Sequence, residues 1–109
     1  MNDQSFSAAA ELMQMAARPF EDAVAMPPSV YISEAFLARE RENVFRKDWI
    51  CVGRASSLAR PGDYLTCDIA GQPVLVLRNR TGEIRAMANV CLHRMSTLLE
   101  GRGNIRAIT

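Results

Sequence analysis

Cys91 and His93 are the residues of this sequence best suited to chemistry, and they stand two positions apart in Asn89-Val90-Cys91-Leu92-His93-Arg94. A thiolate is a soft metal ligand and an imidazole a borderline one. A Cys-x-His on a loop therefore offers a transition metal two kinds of donor from one short stretch. His93 is the single histidine of the chain. The tripeptide alone is a weak signal, because a neighbouring Cys and His more often serve structure than ligation. Cys51 and Cys67 fall in apolar runs and read as packing residues. Together with Cys91 and His93 they would make up the ligand count of a Cys3His zinc site, but the closely spaced pairs of such sites are missing. Gly101-x-Gly103 lacks the third glycine and the helix of a dinucleotide fingerprint, so it reads as a turn.

The elements that must position this pair follow from the apolar periodicity. Residues 1–32 form a lead segment. Within it Ser7 is a candidate cap for a helix running through Arg18, with Leu12, Met15 and Ala16 on one face, and Pro19 ends it. Met26-Pro27-Pro28-Ser29 reads as extended. Residues 33–47 read as a surface helix capped by Ser33, with Leu37, Val44 and Phe45 as its apolar stripe and residues 39–42 facing water. From Trp49 the period changes to two. Trp49-Ile50-Cys51-Val52, Tyr64 to Ile69, Val74 to Leu77 and Ile84 to Val90 are strand-like runs, separated by Arg60-Pro61-Gly62-Asp63, Ala70-Gly71-Gln72-Pro73 and Asn79-Arg80-Thr81-Gly82. This pattern predicts an antiparallel β-meander over 49–90 whose last strand delivers Cys91 to a surface loop. The fold class expected is mainly β, with a helical N-terminal lead.

Composition bounds the rest. At 109 residues the chain suits one small domain with a modest core. A net charge of +1 and the absence of a basic stripe with interleaved aromatics give no support to a nucleic-acid partner. No apolar run approaches the roughly 18 residues of a membrane span, and the N-terminus lacks the positive start of a secretory signal. Three widely spaced cysteines make a poor disulfide framework. A cytoplasmic protein is the reading these features favour.

The order of the motifs resembles the Rieske domain of bacterial ring-hydroxylating oxygenase large (alpha) subunits and of related N-demethylating oxygenases. Phe45-Arg46-Lys47-Asp48-Trp49, Pro61-Gly62-Asp63-Tyr64, Gly71 to Arg78, Gly82 to Ala86, Asn89 to Arg94 and Leu98 to Asn104 carry the resemblance, which covers about residues 30–109. It implies 33–47 as a helix leading into the domain and 48–109 as an incomplete antiparallel Rieske-type β domain. It also implies a [2Fe–2S] cluster, with Cys91 on the all-sulfur iron and His93 on the other. The family's second pair, Cys-x-x-His, should begin just past Thr109. The C-terminal catalytic domain, with a mononuclear Fe(II) held by two histidines and a carboxylate, is expected outside this sequence as well. In the complete protein the resemblance implies electrons from a reductase or ferredoxin donor, a homo-oligomer, and O2-dependent hydroxylation or oxidative demethylation of a small organic substrate. An aromatic ring, an aromatic acid and a quaternary amine all remain open as that substrate. Two other readings stand beside it. One is a Rieske-type ferredoxin, against which the nearly fifty residues before Trp49 weigh. The other is an inactive truncated fragment with no catalytic residues of its own.

Overall fold

The computed structural model describes residues 4–107, with side chains from residue 7 onward. The first three residues of the lead segment, and Ile108 and Thr109, lie outside it. The chain divides into two compact units, one running to Trp49 and the other from Ile50.

The first unit is helical. α1 spans Gln4–Ala16 and buries Ala8, with Leu12 and Met15 half-buried on the same face. Ser7 lies inside this helix and does not cap it. The run Ala8-Ala9-Ala10 has the highest helix propensity of any residue type, and the helix propagates through the serine. α1 ends at Ala16, before Pro19. α2 covers Pro28–Ile32, so Pro28 and Ser29, which read as extended in the sequence, are helical. Pro27 keeps extended geometry at ψ 143, while Pro28 takes the first helical position, where its fixed φ fits and its missing N–H costs nothing. α3 covers Glu34–Glu40. Ser33 caps it as expected, its hydroxyl accepting from the Phe36 N–H at 3.1 Å. The helix continues as a π-turn over Arg41–Phe45, closed by the Arg46 N–H on the Arg41 carbonyl. The expected stripe shifts accordingly: Ala35, Phe36 and Leu37 are half-buried, whereas Val44 and Phe45 are exposed. Glu42 and Arg46 pair across one turn on the water side.

The second unit is an antiparallel sheet of β1 (Asp63–Ile69), β2 (Gln72–Arg78), β3 (Ile84–Ala88) and β4 (Arg102–Asn104), in the order β3-β2-β1-β4. The first three strands are the expected meander. β4 falls on the Gly101-x-Gly103 stretch that reads as a turn in the sequence. It pairs instead with the far side of β1, Asp63 opposite Asn104 and Leu65 opposite Arg102, which converts the meander into a Greek-key order. The run 49–52 forms no strand. Trp49 is fully exposed, and an apolar run makes no strand without a ladder partner, which residues 49–52 do not find. A 3-10 turn at Ala55–Leu58 then brings Leu58 onto the sheet.

Register places the core. Leu65 faces Val76 and Cys67 faces Val74 across the β1–β2 ladder. With Leu58 and Val52 these side chains form the apolar cluster on one face. Leu75 points to the other face and is fully buried, a burial that stabilises by about 1.5–3 kcal/mol. The β1–β2 turn is Ala70-Gly71, both at positive φ (51 and 84), as a two-residue type I′ hairpin requires. The Asp68 carboxylate accepts from the Gly71 N–H at 2.7 Å.

β4 is held at its end by Gly62 and Asn104. The Ile105 N–H donates to the Gly62 carbonyl at 2.9 Å, and the Asn104 amide donates to Asp63 at 2.7 Å and to the Pro61 carbonyl at 3.1 Å. The Asn104 hydrogen bond, with the Arg60 N–H, holds the Asp63 carboxyl below its ordinary pKa. A depressed carboxylate pKa contributes stability above the unfolded value, and that contribution is lost as pH falls through the folded value.

Two glycines at similar φ separate strain from collision. A Cβ on Gly62 (φ +89) would lie 2.2 Å from the Ile105 carbonyl oxygen, whereas one on Gly71 (φ +84) would meet nothing within 4 Å. Gly71→Ala should cost roughly 1–2 kcal/mol, the left-handed penalty alone. Gly62→Ala should cost more, about 3 kcal/mol, because β4 must also move. Urea denaturation midpoints of the two variants check this, and equal losses would contradict the β1–β4 assignment.

Candidate functional site

The site is built where β3 stops. Asn89 sends its backbone N–H to the Pro73 carbonyl at 2.9 Å, the last contact of this segment with β2. Its side chain is buried, 4% exposed, and engages Leu99 ten residues on. The carboxamide N–H donates to the Leu99 carbonyl at 2.8 Å, and the carboxamide oxygen accepts the Leu99 N–H at 3.1 Å. A buried amide satisfied in both directions by the backbone of one residue closes a loop as a backbone pair would.

Inside this closure a second, tighter one holds Cys91. Its N–H donates to the Ser96 carbonyl and its carbonyl accepts from the Met95 N–H, each at 2.7 Å. Met95 takes φ 56, a left-handed conformation that non-glycine residues adopt only where surrounding contacts impose it. Leu92, His93 and Arg94 form the turn at the tip. Cys91 is half-buried at the neck, His93 is exposed, and Leu92 is 95% exposed beside it. The loop returns to the sheet where the Tyr64 hydroxyl donates to the Glu100 carbonyl at 3.1 Å and the Thr66 hydroxyl to the Gly101 carbonyl at 2.9 Å.

The two expected site residues thus share one loop at the strand end foreseen for them. The other cysteines do not join them. Cys67 lies half-buried on β1 against the Leu58–Leu65–Val76 cluster, the packing role expected of it. Cys51 was expected in a strand interior. It is exposed, in the segment that forms no ladder. Among the described residues no three His, Cys, Asp or Glu side chains converge as metal ligands, which leaves the Cys3His zinc arrangement without geometric support.

A cleft of about 540 Å3 opens at the opposite end of the strands, between Leu77, Arg78, Arg80, Asn104, Ile105 and Arg106. It offers no nucleophile. Arg78, its best-placed cation, is spent on the carbonyls of Leu58, Gly82 and Ala55. Glu83, whose carboxyl is held below its ordinary pKa by Arg85 and then Asn79, stands in the β2–β3 turn, and Asp63 at the start of β1. Neither belongs to the Cys91 loop.

The donor set on that loop, one thiol and one imidazole held by backbone hydrogen bonds, fits one half of the two-sulfur, two-nitrogen ligand set of a Rieske [2Fe–2S] centre. Sequence reasoning passed over Asn89. Its signal was a short amide side chain at the point where an alternating strand gives way to a loop, the kind of residue that bonds backbone in preference to extending a ladder.

A family model described as "Rieske [2Fe-2S] domain" matches residues 48–109. The chain is 39% identical over 88 residues to the carnitine monooxygenase oxygenase subunit of Escherichia coli (strain K12), covering 81% of this chain and 24% of that one. It is 33% identical over 85 residues to the biphenyl 2,3-dioxygenase subunit alpha of Rhodococcus jostii (strain RHA1), covering 77% and 18%. Among solved structures, a quaternary ammonium Rieske monooxygenase described for carnitine oxidation and inter-subunit electron transfer superposes with a TM-score of 0.70 at 39% identity, over 73% of this chain and 22% of that one. The naphthalene 1,2-dioxygenase from Rhodococcus sp. bound to indole superposes over 99% of this chain and 24% of that one, with a TM-score of 0.80 at 23% identity, a likeness of fold. The chain spans about a quarter of the length of the carnitine monooxygenase subunits it matches.

Exposure separates the two remaining cysteines. Cys51→Ser should leave stability within about 0.5 kcal/mol of the parent. Cys67→Ser should cost about 1–2 kcal/mol, because a hydroxyl replaces a thiol against the apolar cluster. Denaturant midpoints read both, and a larger loss at Cys51 would contradict the placement of residues 50–54.

Proposed function

The chain belongs to the Rieske [2Fe–2S] family, and from that premise we propose that it is the electron-entry part of an iron–sulfur oxygenase subunit. Cys91 supplies a thiolate to the all-sulfur iron and His93 an imidazole to the other, one half of the ligand set. The cluster, when bound, supplies one-electron transfer. The other cysteine–histidine pair comes from residues outside this sequence, which holds a single histidine where the centre takes two.

The chain's own residues do three things in this reading. The Asn89–Leu99 and Cys91–Ser96 closures hold the donors on one rigid loop. The half-burial of Cys91 limits water around the sulfur, one of the levers on a cluster's potential. The exposure of His93 leaves the imidazole side open toward an electron donor, a reductase or a ferredoxin. O2-dependent hydroxylation or demethylation of a small organic substrate is assigned to a mononuclear iron site in a catalytic domain outside this chain. The subunit is assigned to the cytoplasm and to a homo-oligomer. Three free cysteines suit a reducing compartment, and among the described residues no helix is long and apolar enough to cross a membrane.

The observation that carries the proposal is the Cys-x-His pair on the loop after β3, inside the segment that the family model matches. Against a Rieske ferredoxin stands the helical unit before Ile50. The superposition on a solved quaternary ammonium Rieske monooxygenase extends over 94% of this chain at 33% identity, helices included.

In the complete subunit, Cys91→Ser or His93→Ala should abolish the cluster's visible absorption and most of its iron, while Cys51→Ser and Cys67→Ser leave iron content near that of the parent. The 109-residue chain alone, reconstituted anaerobically with iron and sulfide, should hold no stable cluster as a monomer. A stoichiometric Rieske-type paramagnetic signal from the monomeric chain, or iron loss in a folded Cys67→Ser subunit, would overturn the ligand assignment.

A further inference from the structure

The Asn89 carboxamide is the one buried polar side chain among the described residues, and both of its hydrogen bonds go to the backbone of Leu99. Those two bonds join the ends of the segment that carries Cys91 and His93. We infer that Asn89 is a positioning residue for the metal-ligating pair, holding the Cys91–His93 loop in its ligating shape before any metal arrives. The inference rests on the assignment of Cys91 and His93 as ligands and adds to it a residue that touches neither metal nor substrate.

A loop of about ten flexible residues costs several kcal/mol to close, most of it in backbone freedom. Asn89 meets that cost during folding, because its burial makes the two hydrogen bonds obligatory. A buried amide left unmade loses about 1–3 kcal/mol per group. The neck bonds of Cys91 to Met95 and Ser96, and the left-handed turn at Met95, then lie inside an already closed loop. Without Asn89 the metal would have to order the loop as it binds, and its apparent affinity would fall by that ordering. Partners that orient metal ligands without touching the metal typically set affinity by 10–100-fold.

The test uses the complete subunit, reconstituted anaerobically with iron and sulfide and then titrated with an iron chelator. Visible absorption and iron content follow the cluster, and amide hydrogen exchange of the unloaded subunit follows the loop. Asn89→Ala should give up its cluster at about 10–100-fold lower chelator concentration and speed exchange at Cys91 and Met95, while the β1–β2 amides keep their protection. Asn89→Ser, whose hydroxyl can still satisfy one Leu99 group, should shift both readouts less, and it serves if the alanine variant does not fold. A folded Asn89 variant with faster loop exchange and parental chelator resistance would overturn the positioning role while leaving the ligand assignment intact. A cluster that survives Cys91→Ser or His93→Ala in the otherwise parental subunit would sink the ligand assignment itself.

Discussion

The structure depends on how the chain gets from β3 to β4. These strands lie on opposite edges of the sheet, so residues 89–101 must pass two intervening strands. Three strand spacings amount to roughly 14 Å, while the segment fully extended would reach about 45 Å. The surplus length must be folded away, and every peptide group within it must find a partner or water. The chain meets this constraint with nested closures: Asn89 on Leu99 outside, Cys91 on Met95 and Ser96 inside, and the Tyr64 and Thr66 hydroxyls receiving the return. The loop that carries Cys91 and His93 is the folded surplus of that connection.

Topology also separates the site from the rest of the polar surface. The connection emerges at the end of the sheet where β3 finishes and β2 begins, Ala88 opposite Val74. Gly62, Asn104, Arg78 and Asp63 gather at the other end, where they fasten β4 and the β2–β3 turn. Arg78 and Asp63 are thereby committed to structure, at the end of the sheet away from Cys91 and His93. The sheet fixes positions, and the loop supplies donors.

Much of this was legible in the sequence, for identifiable reasons. β1 and β3 announce themselves by an apolar period of two and β2 by its continuous apolar run Val74-Leu75-Val76-Leu77, and the turns between them carry Gly71 and Gly82 where positive φ is needed. Cys91 could be placed at a strand end because the alternation from Ile84 breaks there. What could not be read depended on partners distant in sequence. Trp49 to Val52 has strand composition but pairs with neither edge strand. Arg102 to Asn104 lacks strand composition but finds the backbone of β1 open beside it. Pro28 breaks a chain in most contexts and starts a helix in this one, a choice made by the following residues. Asn89 gave the weakest signal of all, since a satisfied buried amide is defined by a carbonyl and an N–H ten residues away.

The central claim is that one loop, closed by Asn89, presents Cys91 and His93 to the two irons of a [2Fe–2S] cluster. An iron anomalous-scattering map from crystals of the complete cluster-loaded subunit tests it most directly. The account predicts two iron peaks, one bonded to the Cys91 sulfur and the other to a His93 ring nitrogen, with the Asn89–Leu99 hydrogen bonds in place. Iron held by Cys51 or Cys67, or both donors of the loop on the same iron, would contradict it.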